Sequence, residues 1–245
     1  ADKYKSCRIC SYISLSVNSN KVEIKTEINN KVKDHRLRVC FPADIQADYS
    51  YAGSQFDIVK RNIETPLCKE WKEPQPSFHP QLNFVDINNG QEGLAIINQG
   101  LPEYEIKEDE YNTIILTLLR GVGRGPGNSE DFKEGQILGK HKFKYALRPH
   151  TGEVYQAHIW QEAHHFNNPM SINQTEGGPG KFDVENSFLS INHPDIVCTA
   201  MKKCENRDTF ILRFLNIAQE EVQSRIEISE KADEIYMVNL NEKRQ

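Results

Sequence analysis

The stretch KVEIKTEI, residues 21–28, alternates apolar and charged side chains with a period of two. An extended chain places every second side chain on the same face, so one face of this stretch is charged. The opposite face carries Val22, Ile24, Thr26 and Ile28. The stretch RLRVCF, residues 36–41, repeats the pattern with Leu37, Val39 and Phe41. Both stretches are therefore predicted to be half-buried β-strands.

Strand-like runs recur along the whole chain, about thirteen of them, and turn residues such as NNGQEG at 88–93 separate many of them. Two runs, TIILTLL at 113–119 and FILRFL at 210–215, are almost continuously apolar and are predicted to be central strands covered on both faces. Many short strands with few helices indicate an all-β fold, a large β-sandwich. The sequence shows no repeat and no dividing linker, so residues 1–245 are predicted to form a single domain.

One segment has helical periodicity: HTGEVYQAHIWQEAHHFNNP, residues 150–169. Its apolar face would carry Tyr155, Ile159, Ala163 and Phe166. We expect Thr151 to cap the start of this helix and the residues NNP at 167–169 to end it.

The composition and charge of the chain exclude several classes of function. The formal net charge is -5, so the chain has no general basic field for nucleic acid or an anionic membrane surface. Its longest apolar runs are far shorter than the roughly 20 residues that span a bilayer. The opening residues, ADKYKSCRIC, contain neither an initiator methionine nor an apolar signal region, and we interpret the chain as a piece of a longer cytoplasmic protein. Cys7 and Cys10 have CxxC spacing without a second pair, so no metal site is predicted.

Alternating glycines follow the apolar run at 113–119, in the order Gly121, Gly123, Gly125 and Gly127. A dinucleotide-binding loop needs a helix that starts at the glycines, and a phosphate-binding P-loop needs a following GK[ST]. The next residues, PGNSEDFKEG, supply neither. These glycines are therefore predicted to form a solvent-exposed loop that tolerates positive φ, framed by Arg120 and Arg124.

The titratable residues do not by themselves identify a catalytic site. His158 and His165 could align on a helix, but zinc would require a third ligand, and no HExxH motif is present. No two carboxylates can be paired from the sequence for glycoside chemistry. His150 lies where a strand would meet the helix, and both a structural cap and a ligand at the edge of a cleft stay open for it.

Five strings, in order, carry a family resemblance: FVDINNGQEGLAIINQGLPEYEI (84–106), TIILTLLRGVGRG (113–125), YALRPHTGE (145–153), FNNP (166–169) and VCTAMKKCENRDTFILRFLN (197–216). Together they resemble the C-terminal region of glycoside hydrolase family 38 α-mannosidases, in particular the bacterial cytoplasmic branch that includes mannosylglycerate hydrolases.

The resemblance implies a galactose-mutarotase-like β-supersandwich and, for the whole enzyme, retaining hydrolysis of α-mannosides. It also implies that the aspartate nucleophile and a zinc ion belong to an N-terminal barrel domain outside residues 1–245. This chain would then carry no catalytic residue and no metal site, and its partners would be that domain and the α-mannoside. An arginine of the C-terminal region reaches the substrate in this family, with Arg120 as first candidate and Arg124 as second. His150 is a third candidate for binding substrate.

Two other classes stay open. A stand-alone carbohydrate-binding module would need exposed aromatic platforms, and the chain has only Trp71 and Trp160 as tryptophans, of which Trp160 is expected to pack in the helix region. A structural or oligomerisation domain is the third reading, and a homo-oligomer is one of the alternatives that the sequence leaves undecided.

Overall fold

A computed structural model describes residues 6–64, 72, 75–123, 134–178, 180, 183–229 and 231–245. By its contacts the chain divides into two compact units, Ala1–Met170 and Ser171–Gln245. The single domain expected over residues 1–245 stays a prediction, and each unit is described by itself.

Seven antiparallel strands form the first sheet of the first unit, with strands numbered in chain order. Their spatial order is β1 (Arg8–Ser14), β2 (Val22–Asn30), β11 (Gly139–Thr151), β8 (Glu92–Gln99), β7 (Phe84–Asn88), β4 (Tyr49–Ser54) and β5 (Asp57–Asn62). The period of two that predicted β2 is confirmed, because Thr26, Ile28 and Asn30 are buried while the residues between them are partly exposed.

A second antiparallel sheet has the order β3 (Arg36–Phe41), β10 (Thr113–Arg120), β9 (Glu103–Lys107) and β6 (Phe78–Pro80). The core of the unit combines buried residues of both sheets. Phe41 of β3 meets Tyr145 of β11 edge-on, with ring centroids 5.9 Å apart. The prediction for TIILTLL is confirmed, since β10 lies between two strands and its residues from Thr113 to Leu119 are all buried.

The single α-helix of the described residues, α1, spans Ile159–Asn167 and packs against β8. Ile159, Ala163 and Phe166 are buried, as their spacing predicts, whereas Tyr155 precedes α1 and is only partly buried. The predicted start is wrong, because Thr151 is the last residue of β11 and the N-cap position belongs to His158. Gly152, at a φ of 76°, turns the chain between them, a conformation that glycine adopts without strain.

Two antiparallel sheets of two strands each lie in the described part of the second unit. Strand β13 (Ile196–Lys203) pairs with β14 (Phe210–Asn216), and β12 (Leu189–Ile191) pairs with β15 (Ile226–Ile228). FILRFL was expected to be a central strand covered on both faces, and this is wrong, because β14 pairs only with β13 among the described strands and is largely half-exposed. A continuous apolar run shows that a strand lacks a polar face, but it does not say how many neighbours the strand has.

The described strands and the single short helix confirm the predicted all-β class, and the two sheets of the first unit pack as a β-sandwich around a shared core.

Candidate functional site

His150, at the end of β11, crosses the neighbouring strand β8 and reaches a carboxylate on β7. Its Nε2 lies 2.6 Å from Oδ2 of Asp86, and the two side chains are 1% and 0% exposed. Gly93 of β8 pairs with His150 in the sheet, and a Cβ atom at Gly93 would lie 2.3 Å from Cε1 of the imidazole. The absence of a side chain at Gly93 is therefore what lets the imidazole cross β8.

Asp86 is the centre of this buried polar network. Burial raises the pKa of Asp86, and the hydrogen bonds from His150 and from Asn88 only partly offset that effect. Nδ2 of Asn88 donates to Oδ1 of Asp86 at 2.7 Å, so both carboxylate oxygens are satisfied. A buried carboxylate without partners is strongly disfavoured, so His150 is the residue that makes Asp86 tolerable in the sheet.

A surface cleft of about 760 Å³ lies over this end of the sheet. Its polar lining comes from Asp44, Glu92, Arg148, His150 and Thr151. His150 borders the cleft but keeps its imidazole buried against Asp86, so it supports the wall and does not present the imidazole to solvent. The alternative of a helix cap is wrong for His150, because α1 begins at Ile159 and His150 lies inside β11.

Arg120 lies elsewhere, at the end of β10, and is not among the described residues that line the cleft. Its side chain is 54% exposed, and its Nη1 lies 3.9 Å from Oε2 of Glu103. Glu103 is held more closely by two others: Arg36 donates from Nη2 at 2.5 Å and Thr117 donates from Oγ1 at 2.6 Å. Arg120 is thus the outer and loosely held member of a cluster around Glu103, with its guanidinium turned partly to solvent.

The glycines after Arg120 have a packing role that the sequence did not reveal. A Cβ atom at Gly123 would lie 2.3 Å from Nε2 of Gln136 and 2.5 Å from Oδ1 of Asp34. Gln136 is buried and joins Asp34 twice, since it accepts from the Asp34 backbone N–H at 2.8 Å and donates to Oδ1 at 2.8 Å. Neither Gly121 nor Gly123 is among the residues with positive φ, so close packing and not backbone conformation selects glycine here.

The other residues singled out in the sequence have different outcomes in the structure. Arg124, Gly125, Gly127 and Trp71 lie outside the described residues. Trp160 is buried in α1 and stacks on His164, as expected, and therefore offers no exposed platform for a sugar. The sequence pointed to His150 but missed Asp86. The available signal was a carboxylate inside the otherwise apolar run FVDI, where a charge needs a partner.

The described residues show neither a metal-binding cluster nor a membrane-spanning helix. They contain no group of three or more His, Cys, Asp or Glu side chains that could hold a metal ion. In the same part of the chain, the helical segments are too short or too polar for any of them to cross a bilayer.

Comparison with known proteins places the chain in a family. Residues 2–125 match the glycosyl hydrolases family 38 C-terminal domain, and residues 195–245 match the family 38 C-terminal beta sandwich domain. The chain is 32% identical over 209 residues to the "Putative mannosylglycerate hydrolase" of Halalkalibacterium halodurans, covering 85% of this chain and 23% of that protein. It is 25% identical over 240 residues to mouse alpha-mannosidase 2C1, covering 97% of this chain and 22% of that protein.

A solved structure shares the fold. The crystal structure of an alpha-mannosidase from Enterococcus faecalis V583 superposes with a TM-score of 0.80 at 29% identity, covering 90% of this chain and 24% of that one. The chain thus spans about a quarter of the length of the proteins it resembles. With a family model covering half of its residues and a second one covering its end, the chain belongs to the C-terminal region of glycosyl hydrolase family 38.

Proposed function

We propose that this chain is the C-terminal β-sandwich region of a cytoplasmic α-mannosidase, an enzyme that hydrolyses terminal α-mannosides with retention of configuration. In that enzyme, the chain would shape the substrate cleft at its junction with the catalytic domain. The observation that carries the proposal is the family match over both parts of the chain, together with relatives that are named alpha-mannosidases and are about four times longer. The nucleophile is assigned to a domain outside residues 1–245.

The zinc ion of the proposed enzyme is assigned to that domain as well. The described residues do not fit a catalytic zinc site, which needs three protein ligands around an open position, because no such group of side chains exists among them. No step of the reaction is therefore assigned to metal held by this chain.

Arg120 is the residue of this chain that we propose to contact the substrate. Its side chain is more than half exposed and its ion pair with Glu103 is long, at 3.9 Å, so the guanidinium is held only loosely. A guanidinium presents five N–H donors in a fixed planar fork, which suits sugar hydroxyls or an anionic group. Arg36 and Thr117 both donate to Oε1 of Glu103, and Arg120 approaches only Oε2, at 3.9 Å. Because a long and partly exposed ion pair contributes little, Arg120 can turn away from Glu103 at little cost.

Replacing Arg120 by methionine in the full-length protein is expected to lower kcat/KM for α-mannosides. The decrease should correspond to a loss of about 1.5–3 kcal/mol of transition-state stabilisation, which is the contribution of a hydrogen bond to a charged group. The melting temperature should change little, because exposed ion pairs contribute little to stability. Steady-state kinetics and thermal melts measure the two effects. Arg38→Met is the matched control, since Arg38 is also partly exposed and pairs with Glu105 at 2.5 Å. Unchanged kinetics for Arg120→Met, with folding intact, would remove Arg120 from the proposal and leave Arg124 to be tested.

Residues 1–245 produced alone are expected neither to turn over an aryl α-mannoside nor to retain zinc at one ion per chain. The reason is that no three-ligand group exists among the described residues and the nucleophile is assigned elsewhere. Metal analysis of protein purified without chelators, together with an aryl-mannoside assay, checks both halves. Turnover by the pure fragment would overturn the assignment of the catalytic residues to another domain.

A further inference from the structure

Strand β1 carries an apolar face that is oriented like the core of the first sheet. Ile9 pairs with the buried Ile28 of β2, and Ile13 pairs with Ile24, which packs against the core. Between them, the hydroxyls of Ser11 and Thr26 are hydrogen-bonded at 2.9 Å. Because directly paired residues of adjacent strands point to the same side of a sheet, Ile9 and Ile13 face the side on which the second sheet lies.

These residues are nevertheless exposed to solvent. Ile9 is 48% exposed, Ile13 is 69% exposed and Leu15, just after the strand, is 64% exposed. The second sheet ends too early to cover them. Its terminal strand β3 lies opposite β11, where Phe41 contacts Tyr145, and β2 and β1 lie beyond β11. Among the described residues, the first sheet therefore extends past the edge of the second.

The opposite face of β1 has the character of a surface in contact with water. Tyr12 lies on that face beside Lys25, whose Nζ is 5.5 Å from the centre of the tyrosine ring. Lys25 in turn forms an ion pair with Glu27 at 2.8 Å. Strand β1 is thus amphipathic, as a strand at the edge of a core would be. Its polar face points outward, and its apolar face points toward the side of the second sheet but is not covered.

The free edges of two terminal strands lie on the same side of the unit. In the described part of the chain, β1 is the terminal strand of the first sheet and β3 is the terminal strand of the second. An edge strand presents unpaired backbone N–H and C=O groups that can pair with a further strand. Exposed apolar residues next to such an edge mark a surface that another segment covers.

We propose that an extended segment of the same polypeptide, from outside residues 1–245, continues the second sheet past β3 and packs on the apolar face of β1, where it covers Ile9, Ile13 and Leu15. The inference rests on the proposed function in one respect, which is that the whole protein is about four times longer, as its relatives are. The segment would carry apolar side chains at every second position, because only one of its faces meets β1.

A segment of the same chain fits this surface better than a second copy does. A stable interface between two proteins buries about 800 Å² per partner, which is far more than a strip of three apolar side chains supplies. A tethered segment pays a smaller entropic cost of association, because its effective concentration at the surface is high. A narrow apolar strip at a sheet edge is therefore suited to an intramolecular strand.

Thiol labelling of the native full-length protein tests the proposal. Ile13→Cys places a thiol on the apolar face of β1, and Tyr12→Cys places one on the opposite face of the same strand. We expect maleimide to modify Ile13→Cys at least about tenfold more slowly than Tyr12→Cys, because a covered residue reacts only during local opening. A second pair, Ile9→Cys compared with the natural Cys10, gives the same comparison if Ile13→Cys fails to fold. Equal labelling rates on the two faces would overturn the proposal.

Photo-crosslinking from the same thiol identifies the covering segment. A crosslink within one chain to a peptide outside residues 1–245 supports the proposal. A crosslink to another copy, or to a peptide within residues 1–245, overturns it. The two proposals can fail separately, because loss of the function proposal would appear as absent α-mannoside turnover with the labelling contrast preserved. Normal turnover with equal labelling would reject only the covering segment.

Discussion

Replacing His150 by alanine is expected to lower the free energy of unfolding by about 3–5 kcal/mol, because it leaves a fully buried carboxyl group without the partner of one of its oxygens. Asp86 would keep its bond from Asn88 but would lose the imidazole 2.6 Å away, and it would remain in a site with no exposure to water. The empty space over Gly93 adds the cost of a cavity. The expected effect is thus on the sheet itself and on the wall of the adjoining cleft.

The measurement is hydrogen exchange of the full-length protein, which reports local opening of β7, β8 and β11 without requiring a single unfolding transition. His141→Ala is the matched control, since His141 lies on the same strand and makes one bond to the backbone oxygen of Ile137 at 3.0 Å. This control should cost about 1 kcal/mol or less. Equal losses of protection in the two variants would contradict the importance assigned to the His150–Asp86 pair.

Leu116→Ala should have a comparable effect, about 3–5 kcal/mol, because it removes three buried side-chain carbon atoms and leaves a cavity in a close-packed core. Leu116 is fully buried in the middle of β10 and belongs to the cluster shared by both sheets. Chemical denaturation, with hydrogen exchange of β10 peptides as the local readout, measures the loss. Leu82→Ala removes the same atoms from an exposed position and should change stability by about 0.5 kcal/mol or less. If both leucines cost the same, β10 would not be the centre of the core.

The exposure and the pairing of the Arg120 side chain could not be predicted from the sequence. In the structure the side chain of Arg120 is turned partly to solvent, because Arg36 and Thr117 hold Oε1 of Glu103 closely and Arg120 reaches only Oε2, at 3.9 Å. The pairing of Glu103 depends on three strands that come from different parts of the chain. No local sequence pattern can therefore predict which cation lies closest to this carboxylate.

The glycines after Arg120 illustrate the same limit. Their alternation indicated a loop, but the reason for Gly123 is the amide of Gln136, which is held by Asp34 from a position 102 residues earlier in the chain. Glycine chosen for close packing and glycine chosen for positive φ are identical in a sequence. Only the neighbouring atoms distinguish them.

By itself, the sequence determined the β class, the burial pattern of β2, the central place of β10 and the apolar face of the helix, and the order of its motifs pointed to the family. These features are local, because the spacing of the apolar residues along a strand or a helix indicates which side chains are buried. Tertiary structure alone decided the pairing of His150 with Asp86 across Gly93, the exposure of Arg120 and the two-stranded pairing of β14. Each of these depends on residues brought together by sheet order, and the number of neighbours that a strand or a charge acquires is a property of the assembled sheets.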